Sequence, residues 1–143
     1  MRDSESRLSF LLSATPAIIY SIRAGGDYAT TFISENIRKT LGYEPADFLG
    51  TPAAWTQRVH PDDLDVALRA MAGASTAKGD RIVREYRFRH ADGSYRWMLD
   101  EARLVRDTQG QPLEWVGYWF DFTTRRHAED ALAEREEIFA NIV

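Results

Sequence analysis

The 143-residue chain contains no cysteine. That excludes disulfides, cysteine-ligated zinc, thiol catalysis and any covalent cysteinyl adduct. No apolar run approaches the ~20 residues of a membrane-spanning helix, and no signal-peptide pattern is present. Neither sign of charge dominates: the formal net charge is −4, with acidic and basic residues interleaved. Nothing electrostatic therefore points to nucleic acid or to an anionic membrane. Ser-His-Asp orderings, phosphate-binding glycine loops and HExxH are all missing, so no constellation supports a stand-alone enzyme. Hydrophobic residues make up 44% and aromatics 12%. That is too apolar for a disordered chain, and the length suits one domain with its own core. A cytoplasmic location fits this composition, and a periplasmic domain cut from a larger protein would look similar.

The most informative stretch runs from Asp80 to Thr123. Three apolar-rich segments are separated by Ala91-Asp92-Gly93-Ser94 and Asp107-Thr108-Gln109-Gly110. Both turns carry a glycine where a tight reversal needs positive φ, so the stretch reads as a β-meander. Its last strand, Leu113–Phe122, is apolar on both faces. Leu113, Trp115, Gly117 and Trp119 alternate with Val116, Tyr118, Phe120 and Phe122, so each face of the sheet needs a cover.

Ser4 to Thr15 has leucines at helical spacing and ends at Pro16. Ala17–Ile22 and Tyr28–Ile33 read as strands joined by the turn Ala24–Asp27. Ser34 is placed to cap a helix to about Leu41, which Gly42 ends. One-turn segments over Glu44–Leu49 and Thr51–Arg58 follow. Pro61 opens a helix to about Met71 with Leu64 and Leu68 as its inner stripe, and Asp62 and Asp63 suit its dipole. Gly73–Gly79 reads as a loop. Thr123 or Thr124 starts an exit helix in which Ala128, Leu132, Arg135, Phe139 and Ile142 follow a coiled-coil seam. The pattern runs to the last residue, so continuation of the natural protein is expected. The fold class is α+β: a five-stranded antiparallel sheet with short helices on one face, flanked by N- and C-terminal helices.

Two motif sets carry a family resemblance. Gly42-Tyr43-Glu44-Pro45 through Phe48-Leu49-Gly50, then Val59-His60-Pro61-Asp62-Asp63, resembles the front half of a PAS sensory domain. Asp92-Gly93-Ser94-Tyr95-Arg96-Trp97, Gly110 through Trp115-Val116-Gly117, and Asp121-Phe122-Thr123 resemble its PAC half. The resemblance, to the PAS fold-3 type, covers residues 5–125. It implies a sensory or dimerisation module of a bacterial signalling protein, such as a sensor histidine kinase or a cyclic-di-GMP enzyme. Residues 1–15 would be a flanking helix, 16–123 the PAS/PAC core and 124–143 a signalling helix. An output domain would lie in the same chain, with a homodimer formed through the flanking helices and the outer sheet face.

The resemblance also frames the chemistry. Light-sensing members use a cysteine before the long helix and amide side chains on the last strands. Here the corresponding residues are Thr51-Pro52-Ala53-Ala54-Trp55 and Phe88, Met98 and Trp119, so no flavin is expected. Haem would need a histidine of the long helix; His60 lies at that helix's entrance, where capping accounts for it, so no haem is expected either. No metal site or catalytic residue is assigned. Asp62 and Asp63 are explained by the helix start, and His90 and His127 by surface positions.

By resemblance, Tyr86, Phe88, Met98, Asp100, Trp115 and Trp119 face inward; with Tyr20 and Trp55 they are the ligand-pocket candidates. Aromatic and sulfur side chains with one or two polar groups line small-molecule pockets. Large aromatics also fill a core by themselves, so two readings stand: an unidentified small ligand, or a ligand-free dimerisation module. Asp100 needs a partner if enclosed; Arg96, Arg103 or a ligand amine would serve, and the alternative is that it faces water at the sheet end. Asp121 and Thr123 are the signal-coupling candidates, where the last strand passes into the exit helix.

Overall fold

Strand-forming alternation and two glycine turns account for the centre of the molecule. In the computed structural model, residues 15–74 and 80–142 are described, together with Arg7. Five strands form one sheet: β1 (Ile18–Arg23), β2 (Thr30–Ile33), β3 (Arg81–Arg89), β4 (Tyr95–Arg106) and β5 (Pro112–Asp121). Their order is β2-β1-β5-β4-β3, all neighbours antiparallel. Gly93 and Gly110, at the β3–β4 and β4–β5 reversals, have φ of +92° and +82°, as the turn signals required. The helix expected over residues 4–15 falls, except for Arg7 and Thr15, outside the described residues.

Between β2 and β3 lie α1 (Ile37–Leu41), a 3-10 turn (Pro45–Asp47), α2 (Ala53–Thr56) and α3 (Pro61–Ala74). They cover one face of the sheet. Ile37, Leu41, Ala54, Ala67 and Met71 meet the inward-facing strand residues in a single buried cluster. The exit helix α4 (Thr123–Ile142) follows β5 directly. Beyond its first turns it is exposed, Leu132, Phe139 and Ile142 included.

Several local expectations differ from the structure. Ser34 does not cap α1; Glu35 and Asn36 intervene. Its hydroxyl instead accepts the Ile19 N–H at 2.8 Å, and the Asn36 amide donates to Ala17 O at 2.6 Å. Both side chains are committed to β1 and the segment leading into it, so neither caps the helix. The inner stripe of α3 is Leu64, Ala67 and Met71, whereas Leu68 is exposed. That helix runs to Ala74, past the predicted end. His90 is half-buried rather than at a free surface, and its Nδ1 accepts the Asp92 N–H at 3.0 Å to hold the β3–β4 turn.

Candidate functional site

The strand period decides which side chains meet beneath the helices. On β3, Ile82, Arg84, Tyr86 and Phe88 are buried while their neighbours are exposed or half-buried. On β4 the buried positions are Met98, Asp100 and Ala102, and on β5 they are Trp115 and Trp119. Register then places Arg84 opposite Asp100, and Asp100 opposite Trp119. One row across three strands thus holds a cation, a carboxylate and an indole.

Asp100 is only 2% exposed. Its partner is neither of the arginines suggested by sequence. Arg96 bonds Asp121 at 2.8 Å, and Arg103, next to inward-facing Ala102, lies on the opposite face of the sheet. Asp100 instead pairs with Arg84 at 2.8 Å and accepts hydrogen bonds from the Tyr20 and Tyr86 hydroxyls, the latter at 2.7 Å. A buried carboxylate is costly unless paired and bonded, and these three donors meet that need. The Trp55 indole donates to the Tyr86 oxygen at 3.0 Å, and Arg84 donates to Ala67 O of α3 at 3.1 Å. The Arg84 guanidinium lies 5.0 Å from the Trp55 ring centre.

Protonation follows from this geometry. Burial, reinforced by the Asp100 carboxylate, pushes both phenols well above their ordinary value of 10.0. They stay neutral donors at any physiological pH. Burial works most strongly against the Arg84 charge, but Asp100 together with Tyr86 and Tyr20 holds the guanidinium above its ordinary value.

A cavity of about 230 Å³ adjoins the cluster. Of the eight predicted pocket residues, Tyr20, Trp55, Tyr86, Asp100 and Trp119 line it. Phe88, Met98 and Trp115 do not; they are fully buried in the surrounding core. Phe88 supports the wall from behind, its ring meeting Trp119 edge-on at 4.6 Å. Sequence reasoning missed Arg84, although a lone cation in phase with Tyr86 and Phe88 was a readable signal. It also missed Ile33, Phe48 and Met71, which line the cavity from segments whose docking no period reveals. Tyr28 and Leu68, both exposed, bring the cavity to the surface. Tyr28 has φ of +54°, an uncommon backbone state for an aromatic residue and one that gathers at ligand sites.

The strand-to-helix junction is a second constellation. Arg96 Nε donates to Asp121 at 2.8 Å. The other Asp121 oxygen accepts from the Thr123 N–H at 2.9 Å and from the Thr123 hydroxyl at 2.5 Å. Thr123 Oγ1 in turn accepts the Trp97 N–H at 2.8 Å. The helix start is therefore held by Asp121, while the predicted threonine cap ties the helix to β4. Asp121 does not pair with Arg125 or Arg126; those bond Glu129 and Asp130 one turn on. The Arg126 guanidinium stacks 4.4 Å from the Trp97 ring centre. His60 Nδ1 accepts the Asp62 N–H at 3.1 Å at the start of α3. Among the described residues no three metal-ligating side chains cluster, and no helix is long and apolar enough to cross a membrane.

The comparisons agree with this architecture. The family model described as the PAS fold matches residues 30–119, more than half of the chain. The two-component sensor PprA of Pseudomonas aeruginosa is 35% identical over 98% of this chain and 15% of its own length. A methyl sulfide methyltransferase-associated sensor of Methanosarcina acetivorans is 30% identical over 98% of this chain and 14% of its own length. Among solved structures, a sensory box histidine kinase/response regulator from Burkholderia thailandensis superposes with a TM-score of 0.70 at 28% identity, covering 94% of this chain and 98% of that one. The N-terminal domain of a diguanylate cyclase with PAS/PAC sensor from Marinobacter aquaeolei gives 0.68 at 27%, covering 78% and 99%. The chain belongs to the PAS family. It is a sensory module of the kind carried by signalling proteins, and it spans about a seventh of the curated sensors it matches.

Proposed function

We propose that residues 16–123 bind a small ligand in the cavity beside Asp100, and that residues 124–143 carry the bound state to an output domain of the same protein. The observation that carries this is the cavity itself, with the buried Arg84–Asp100 ion pair set into aromatic walls. Small-molecule sites are concave, mostly apolar and fixed by a few polar groups. Asp121 and Thr123 are the coupling residues, because through them the start of α4 is bonded to β4. A sensor histidine kinase is the parent we favour, on the similarity to PprA and to the Burkholderia protein; a cyclic-di-GMP enzyme is the runner-up. A cytoplasmic site belongs to the same proposal.

Native mass spectrometry of the purified domain, with its denatured mass and an absorbance spectrum, tests the ligand. Extra mass lost on denaturation, or a thermal shift within a metabolite panel, is the expected result. A bare mass and no shift would favour the second reading, a ligand-free dimerisation module, for which the exposed apolar residues of α4 speak. For coupling, Asp121→Ala in the full-length protein should leave the domain folded and abolish the response of output to stimulus. Full signalling by that variant would overturn the assignment.

A further inference from the structure

Resting on the small-ligand reading, we propose that Arg87 and Trp97 are further coupling residues. Together they bridge α3, one wall of the cavity, to the start of the exit helix α4. Each residue commits its main chain and its side chain to one helix start. The Arg87 carbonyl accepts the His60 N–H at 2.9 Å, just ahead of α3, and the Arg87 N–H donates to Asp63 at 2.9 Å. The Arg87 guanidinium grips the same carboxylate through two further bonds, from Nε at 2.9 Å and from a terminal nitrogen at 2.8 Å. Trp97 does the equivalent at the other end. Its N–H donates to Thr123 Oγ1 at 2.8 Å, and its carbonyl accepts the Phe122 N–H at 2.9 Å. Its ring centre lies 4.4 Å from the Arg126 guanidinium.

The two residues are directly opposed in the β3–β4 ladder. Their main-chain groups are spent on the two helix starts, so they form a non-hydrogen-bonded pair, the kind in which cross-strand side chains come closest. The Arg87 guanidinium accordingly lies 5.3 Å from the Trp97 ring centre. One indole thus meets two guanidinium groups, one fixed to α3 and the other borne by α4. The input end is the cavity wall: Leu68, Met71 and Ala72 line it from α3. The strand walls are tied to one another by main-chain bonds, whereas a packed helix slides over its neighbours by ~1–2 Å. A two-pronged bond holds the plane of a guanidinium to its carboxylate, so a shift of Asp63 re-aims Arg87 against the indole. The Arg96–Asp121 bond fixes α4 to β4; the Arg87–Trp97 pair adds the link to α3.

Amide hydrogen exchange of the 143-residue chain tests the bridge without any ligand. The quantity read is the exchange rate in the first two turns of α4 relative to that in β1 and β2, which removes any change in global stability. Asp63→Asn should speed α4 exchange about threefold, as loss of one cation–π contact would. Asp65→Asn, which breaks the exposed Asp65–Arg69 pair within the same helix, should leave it unchanged. Arg126→Gln should speed it directly. The double variant Asp63→Asn/Arg126→Gln should exchange no faster in α4 than Arg126→Gln alone, because both substitutions cut one chain of contacts. Trp97→Leu should likewise abolish the effect of Asp63→Asn; if Trp97→Leu does not fold, the Arg126 cycle still decides. Unchanged α4 exchange in Asp63→Asn, or effects that multiply in the double variant, would overturn the bridge and leave the ligand reading in place. A bare protein mass in the spectrometric test would overturn the ligand reading, and with it the input to the bridge, whereas the exchange cycle alone decides the link.

Discussion

At the scale of single residues, Asp100 is the most consequential position. It neutralises Arg84 and fixes two phenols, and it does so at 2% exposure. Breaking a buried pair from one side strands the other charge, which costs far more than replacing both. Asp100→Ala should therefore lose about 3–5 kcal/mol in urea unfolding. Adding Arg84→Met should restore roughly half of that, since the stranded charge goes with it. A double variant as unstable as the single one would contradict this account. The phenols add a pH signature. Folded Tyr20 and Tyr86 keep their protons above pH 10.0, where unfolded tyrosines release them. The folded state then binds more protons, so stability falls as pH rises. Their contribution is intact below pH 10.0 and is lost as pH climbs through the raised folded values. Tyr20→Phe/Tyr86→Phe should flatten the alkaline limb of a stability–pH curve and leave the neutral limb's slope unchanged.

At the scale of elements, the cluster depends on how closely β5 lies beneath Tyr20. A Cβ on Gly117 would stand 2.8 Å from the Tyr20 hydroxyl and 2.4 Å from the Glu101 carbonyl oxygen. The second contact is backbone and cannot yield by a rotamer change. Gly117→Ala should destabilise by about 1–3 kcal/mol, as overpacking does, and loosen Tyr20 from Asp100. Urea unfolding gives the first number, and the near-ultraviolet circular dichroism of Tyr20 and its neighbours reads the second. The sheet was legible because alternation and the glycines of the two reversals are local signals; Arg81–Arg89 and Tyr95–Arg106 lie where the pattern puts them. The polar partners were not. Arg84 meets Asp100 because of register, and the sequence alone leaves the register between strands 80–89 and 95–106 open by steps of two. Ser34 and Thr123 carry the right side chains for helix caps, yet each serves a strand instead: Ile19 for one, Trp97 for the other. A cap preference is worth about 1 kcal/mol, and a tertiary contact of similar strength can redirect it.

At the scale of the whole molecule, the exposed apolar face of α4 sets the expectation for assembly. Leu132, Phe139 and Ile142 are more than half exposed along a seam of coiled-coil spacing. Sedimentation over a range of concentrations should show dimer formation, and Leu132→Glu/Phe139→Glu should move the domain to monomer with its thermal unfolding unchanged. A wild-type domain that remains monomeric at high concentration would remove this role from the helix. The strand order has a further consequence. β1, made first, sits between β2 and β5, and β5 is made last. Tyr20 cannot reach Asp100 in its final setting, Trp119 cannot complete the wall, and Asp121 cannot hold the exit helix until Pro112–Asp121 has been synthesised. On the ribosome, the closed cavity wall and the anchor of the exit helix therefore come into existence together, and a chain cut short before its final strand would possess neither.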